Sequence, residues 1–189
     1  MLSIRISRRA LTLGLATIPA GLGAVRVFGA SNNPTEAAAG ASDGLSHASE
    51  SIHQEVTFKA SRRQVYEALT SARQFDALTR LSDAVTLVTA PGAKATDISR
   101  DVGGSFTLFG GYITGRHLEM VPDERLVQAW RAGSWKAGDY SIVKFALATE
   151  GAGCRLVLDH RGFPEGQGKS LAYGWGVHYW EPMMKLLQR

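Results

Sequence analysis

From residue 51 onward, apolar and polar positions alternate in short runs, and glycine clusters separate the runs. Ile52, Val56 and Phe58 share one parity, with His53, Glu55, Thr57 and Lys59 on the other, which predicts a half-buried first strand. Ser61 followed by Gln64 is a capping-box pattern, and Val65, Ala68 and Leu69 supply the apolar face of the helix it starts. A second short helix is expected around Ala72–Leu78. Leu81–Thr89, with Val85, Leu87 and Val88, reads as a strand ending at Ala90-Pro91-Gly92. Phe106–Phe109 lies between Gly103-Gly104 and Gly110-Gly111, a hairpin signal. Tyr112–Val121 runs to a turn at Pro122-Asp123-Glu124, and Leu126–Arg131 follows with Trp130.

The alternation is most regular toward the end of the chain. In Tyr140–Thr149, Ile142, Lys144 and Ala146 alternate with Val143, Phe145 and Leu147. Cys154–His160 sets Leu156 and Leu158 against Arg155, Val157 and Asp159. The last element, from about Ser170 to Leu187, is helical, with a stripe of Leu171, Trp175, Tyr179, Met183 and Leu186. Pro182 should bend it. Short strands closed by one long helix predict an α+β domain in which a curved antiparallel sheet grips the helix. Such a sheet leaves room for a ligand between the two.

The net charge of +4 invites a nucleic-acid reading. The first thirty residues remove it. They contain Arg5, Arg8, Arg9 and Arg26 and no acid; without those four, 17 basic residues face 17 acidic ones. No basic stripe remains to neutralise phosphates. Ala10 to Val25 is 16 residues without charge, too short for a membrane span and suited to a signal core. Ser7-Arg8-Arg9 with Leu11 resembles the twin-arginine motif. An export signal is expected over 1–30, a disordered tether over 31–50, and one folded domain over 51–189, in a periplasmic or secreted protein without a membrane span in its mature chain. Cys154 is the one cysteine, so no internal disulfide can form.

Several stretches of this domain are familiar in order and spacing. They are Ala60-Ser61 with Val65 to Leu69, Gly103-Gly104-Ser105-Phe106, Gly115 with Leu118 and Met120, Val121-Pro122, Glu124 to Val127, Trp130, Cys154-Arg155-Leu156, His160 to Phe163, and Gly174-Trp175. With them, residues 51–189 resemble the activator of heat-shock protein 90 ATPase homologue family, within the START-like (SRPBCC) superfamily. The resemblance implies a helix-grip fold: six or seven antiparallel strands, two short helices after the first strand, and a long C-terminal helix over the concave face. It implies no shared catalytic residue. Many relatives carry tryptophans after the first helix, where this chain has Phe75 and Leu78.

The expected ligand-binding set is Phe106, Phe109, Tyr112, His117, Trp130, Trp175 and Tyr179, since small-molecule pockets are mostly apolar with a few orienting polar groups. Trp135 is less suited, in a Gly-rich loop. His117 is ambiguous: Leu118 and Met120 claim the inner face, which turns His117 outward beside Glu119. His160 is expected to tie a strand end to the loop that follows, and His178 could border the cavity mouth. The histidines show no metal-ligand spacing, and no phosphate loop or nucleophile elbow is present. No cofactor, metal or nucleic-acid partner is expected, and the chain should be a monomer or weak dimer. The leading expectation is an exported, non-enzymatic protein that binds a small hydrophobic ligand. The alternatives are a cyclase- or hydrolase-type enzyme using His117, Arg116 or Arg131 in the same cavity, and a co-chaperone-like, protein-binding module.

Overall fold

The computed structural model describes residues 50–188. The expected export signal and all but the last residue of the expected tether lie outside the described residues. Seven antiparallel strands form one sheet in the order β1-β7-β6-β5-β4-β3-β2. They are β1 (Ser51–Phe58), β2 (Asp97–Ile98), β3 (Ser105–Leu108), β4 (Ile113–Val121), β5 (Arg125–Ala132), β6 (Ser141–Glu150) and β7 (Gly153–Arg161). The central pairings are plain meanders, and β1 returns to lie beside the last strand, with Ile52 opposite His160 and Phe58 opposite Cys154.

Two helices follow β1: α1 (Arg62–Thr70) and α2 (Ala72–Thr79). The Ser61 hydroxyl accepts from the Gln64 amide, while the Gln64 side chain accepts from the Ser61 amide, so the capping box is complete. Val65, Ala68 and Leu69 of α1 and Phe75 and Leu78 of α2 are buried.

The strand expected over Leu81–Thr89 does not form; Val85–Thr89 is a short helix, α3. Its β-branched composition favours a strand, but a turn capped by the Ser82 hydroxyl leads the chain into a helix. The Ser82 hydroxyl accepts from the Ala84 amide, and the Thr86 and Thr89 hydroxyls donate back to the carbonyls of Asp83 and Val85. No residue of α3 is buried.

The C-terminal rod runs from Gly168 to Leu187 as α4 (Gly168–Gly174), a π-helical turn (Trp175–Trp180) and α5 (Glu181–Leu187). The Glu181 amide donates to the Gly176 carbonyl five residues back. Pro182 lacks the N–H that the His178 carbonyl would need in an α-helix, and its ring would crowd that carbonyl. The wide turn just upstream relieves the conflict. It also changes which side chains share a face. Residues five apart sit about 140° apart in an α-helix but one turn apart in a π-helix. Trp175 and Trp180 therefore stack, with centroids 5.6 Å apart and planes at 16°. Trp180 is fully buried, and its Nε1–H donates to Gln54 of β1 at 2.6 Å. The Gln54 amide donates in turn to the Ala172 carbonyl at 2.9 Å, which ties the edge strand to the rod.

The core fills the concave side of the sheet, under the rod. Val143, Phe145 and Leu147 of β6 and Leu156 and Leu158 of β7 face it, as the alternation predicts, while Ile142 is exposed.

Candidate functional site

A cavity of about 220 Å³ lies between the sheet and the first half of the rod. The sheet contributes Ile113 of β4 and Trp130 and Ala132 of β5. Phe109 and Tyr112, from the turn between β3 and β4, form one side. The rod contributes Leu171, Gly174, Trp175, His178 and Tyr179, and the Ala84–Leu87 segment closes over Phe109. The polar lining comes from Gln167, Ser170 and the heads of the amphipathic rings; among the described residues, no Asp, Glu, Lys or Arg lines the space.

Local backbone chemistry positions these walls. Gly110 has φ +70°, and a Cβ there would lie 2.2 Å from the Leu87 carbonyl oxygen, so only glycine lets α3 sit against the turn. Phe109 itself has φ +50°, a conformation costly for a bulky side chain. Edge-to-face contacts with Phe75 at 5.1 Å and Tyr179 at 5.3 Å hold its ring in place. Phe75 also meets Tyr179 at 5.6 Å, so it supports the wall from behind without lining it.

The structure brings together five of the seven expected residues: Phe109, Tyr112, Trp130, Trp175 and Tyr179. Phe106 and His117 do not line the cavity. Phe106 fills the concave face over Gly115, where a Cβ would lie 2.3 Å from the ring. His117 packs on Phe106 with ring centroids 5.3 Å apart.

The outward placement expected for His117 is corrected by a β-bulge. The register of β4 against β5 shifts between His117 and Glu119, so Leu118 is left outside the alternation, 48% exposed. Ile113, Gly115 and His117 then share the inner face, and Met120 rejoins it beyond the bulge, opposite Leu126. His117 is completely buried, with Nδ1 3.4 Å from the Gln128 amide nitrogen. Burial holds its imidazole below the ordinary histidine range, only partly countered by the Ser99 backbone. Arg116 reaches the Gly103 carbonyl at 3.0 Å, and Arg131 donates to the Trp135 carbonyl at 2.9 Å. None of the three groups of the enzyme alternative borders the cavity.

His160 organises the deep end. Trp175 Nε1–H donates to His160 Nδ1 at 3.1 Å, which places the imidazole proton on Nε2. Nε2–H donates to the Ser141 hydroxyl at 2.7 Å, and that hydroxyl donates to the Trp130 carbonyl at 3.1 Å. The chain of bonds joins β7, β6, β5 and the rod, and so fixes the Trp175 ring and the backbone at Trp130. The loop role expected for His160 survives only as packing, through the Phe163 ring 5.0 Å away. Burial lowers the His160 pKa to about 3.

Three buried polar atoms on lining residues have no hydrogen-bond partner among the described residues: Trp130 Nε1, Tyr179 Oη and His178 Nδ1. The Trp130 N–H lies close enough to the Tyr179 hydroxyl to favour its ionised form, although neither atom counts a hydrogen-bond partner among the described residues. Complete burial dominates and keeps that hydroxyl neutral far above the ordinary tyrosine range. Trp135, near this wall, is satisfied, because its Nε1–H donates to Gln167 at 3.3 Å. Among the described residues, no group of His, Cys, Asp and Glu side chains could hold a metal ion.

Sheet order, a rod over the concave face and a cavity between them define a helix-grip, START-like domain. Residues 59–188 match the family model described as Activator of Hsp90 ATPase homolog 1-like protein, and the chain belongs to that family. It is 26% identical over 125 residues to the mouse activator of 90 kDa heat shock protein ATPase homolog 1, covering 66% of this chain and 33% of the relative. The chain thus spans about a third of the length of the curated relatives it matches first. Among solved structures, an HSP90 activator from Plasmodium falciparum superposes with a TM-score of 0.60 at 24% identity, covering 74% of this chain and 96% of that one. The solution structure of the Aha1 dimer from Colwellia psychrerythraea gives 0.55 at 15% identity, covering 73% and 96%. At these identities the two structures share the fold alone.

Proposed function

We propose that this domain binds a small, largely hydrophobic molecule between its sheet and its C-terminal rod, and works as a carrier or receptor, not as an enzyme. The observation that carries this reading is the cavity itself. Five aromatic residues wall about 220 Å³ that the side chains of the described residues leave unfilled. The space opens to solvent beside the exposed Leu87 and Tyr112, so an apolar occupant would enter from there and displace water from the aromatic wall. A volume of about 150 Å³ in an apolar core is known to take up benzene, and this one is larger. Export through the twin-arginine-like segment belongs to the same proposal and places the carrier outside the cytoplasm.

The test is native mass spectrometry of the full protein purified from its own host. A bound non-protein mass is expected, and it should be lost in Leu171→Trp, which fills the half-buried rim. A bare polypeptide mass in the unaltered protein would contradict the reading.

Family membership favours a second reading, a module that binds a protein partner as the relatives' names imply. A reporter fused to residues 1–30 separates the two. Failure to cross the membrane would remove the carrier's extracytoplasmic setting and strengthen the co-chaperone reading.

A further inference from the structure

The cavity wall also speaks to the chemistry of its occupant, on the reading of the site as a ligand cavity. Trp130 and Tyr179 are 3% and 6% exposed, and each buries a polar atom without a partner among the described residues. Such a group costs about 1–3 kcal/mol unless something satisfies it. Packing does not require either atom. A phenylalanine at 179 would keep the edge-to-face contacts with Phe75 and Phe109, and the hydroxyl adds nothing to them. The indole N–H can only donate. The Tyr179 hydroxyl is neutral and near enough for Trp130 to favour its ionised form, yet neither polar atom has a hydrogen-bond partner among the described residues. Two neighbouring donors therefore lack a shared acceptor.

The rest of the lining narrows the acceptor's charge. Among the described residues, no Asp, Glu, Lys or Arg lines the wall and His178 is its one basic side chain, so an ammonium would be desolvated without a counter-ion and a carboxylate would have a single imidazole to meet. The flat walls of Phe109, Trp130 and Trp175 suit a ring, and the volume suits one or two.

We propose that the cavity selects a neutral aromatic molecule of one or two fused rings bearing an oxygen acceptor, held jointly by Trp130 Nε1–H and the Tyr179 hydroxyl. A ketone, aldehyde or similar uncharged carbonyl meets this description.

The experiment compares three probes of one ring skeleton on the full chain at pH 7.5: indane, 1-indanone and indane-1-carboxylate. Binding is read by quenching of tryptophan fluorescence and by thermal protection. The ketone is expected to bind about tenfold more tightly than the hydrocarbon, as two net hydrogen bonds allow. The carboxylate should bind more weakly than either. Tyr179→Phe, which removes an unpartnered buried hydroxyl, should not lower thermal stability and should cut the ketone's advantage over indane about fivefold. Trp130→Phe should cut it too, which guards against an artefact of one variant. Equal binding of indane and 1-indanone, unchanged in Tyr179→Phe, would overturn this inference and leave the cavity reading standing. Preference for the carboxylate would overturn it as well. If no probe quenches or protects, the cavity reading itself fails, and the inference falls with it.

Discussion

The His160 network makes a quantitative prediction about acid. In the folded protein the imidazole is buried, neutral and depressed to about 3, against an ordinary value of 6.5. The unfolded chain therefore takes up a proton that the folded chain refuses. The stability this protects is present above pH 6.5 and is lost as pH falls below it, until the loss saturates near pH 3. Linkage between those two values gives a loss of about 2 kcal/mol at pH 5. With a urea slope typical of small domains, that is a fall of about 1 M in the unfolding midpoint. His117, buried and also depressed, acts in the same direction. His53 acts in the opposite one: Asp159, which accepts from it at 2.8 Å, raises its pKa, so its contribution is present below 6.5 and lost as pH rises. His53 is about a third exposed, and solvent screens that pair. Urea unfolding of His53→Gln at pH 7.5, 6.5, 5.5 and 5.0 isolates the buried histidines and stays above the carboxylate range. The midpoint should fall steadily across the series, and nitrogen-15 spectra should show His160 as the neutral Nε2–H tautomer throughout. A flat midpoint, or a His160 that titrates near 6.5, would refute the argument.

Other substitutions test the scaffold. Gly115→Val places a Cβ 2.1 Å from the Ala129 carbonyl oxygen and 2.3 Å from the Phe106 ring; a loss of about 3 kcal/mol or outright misfolding is expected by chemical denaturation. Ser61→Ala removes the hydroxyl that accepts from the Gln64 amide and should cost about 1 kcal/mol in the same assay without altering probe binding. Gln54→Leu removes the acceptor for the fully buried Trp180 N–H and the donor to Ala172; a loss of about 2 kcal/mol in urea unfolding is expected, larger than an exposed β1 substitution would give.

What the sequence disclosed, and what it hid, follows from how local each determinant is. Period-two alternation carries β6 and β7 directly, because each strand buries one face on one core. The capping box at Ser61-Gln64 and the glycine pairs around β3 are likewise local. The α3 segment misleads because Val85-Thr86-Leu87-Val88-Thr89 has strand composition, while a turn at Ser82, whose hydroxyl accepts from the Ala84 amide, precedes it. His117 misled because a single extra residue, Leu118, breaks the parity on which the reading relied. No periodicity argument sees a bulge before the partner strand is known. Trp180 escaped the helical stripe for a similar reason. The stripe assumes 3.6 residues per turn, and the π turn before Pro182 lets Trp175 and Trp180 share a face. Proline in the helix is the available signal; it predicts a bend, and a change of turn width is what it accompanies. The five aromatics of the cavity wall were legible as a set because large rings on a strand, a hairpin turn and the rod must converge once the sheet curves. Their unpartnered polar atoms were not, since satisfaction is a property of three-dimensional neighbours.

The most direct test of the hollow as a ligand site is methyl NMR of the full chain titrated with 1-indanone. Methyl signals of Ile113, Ala132 and Leu171 should shift saturably and give contacts to the probe, while those of Val127, Ile142 and Val157, on the opposite face of the sheet, stay fixed. Shifts confined to that opposite face, or none at millimolar probe, would contradict the account.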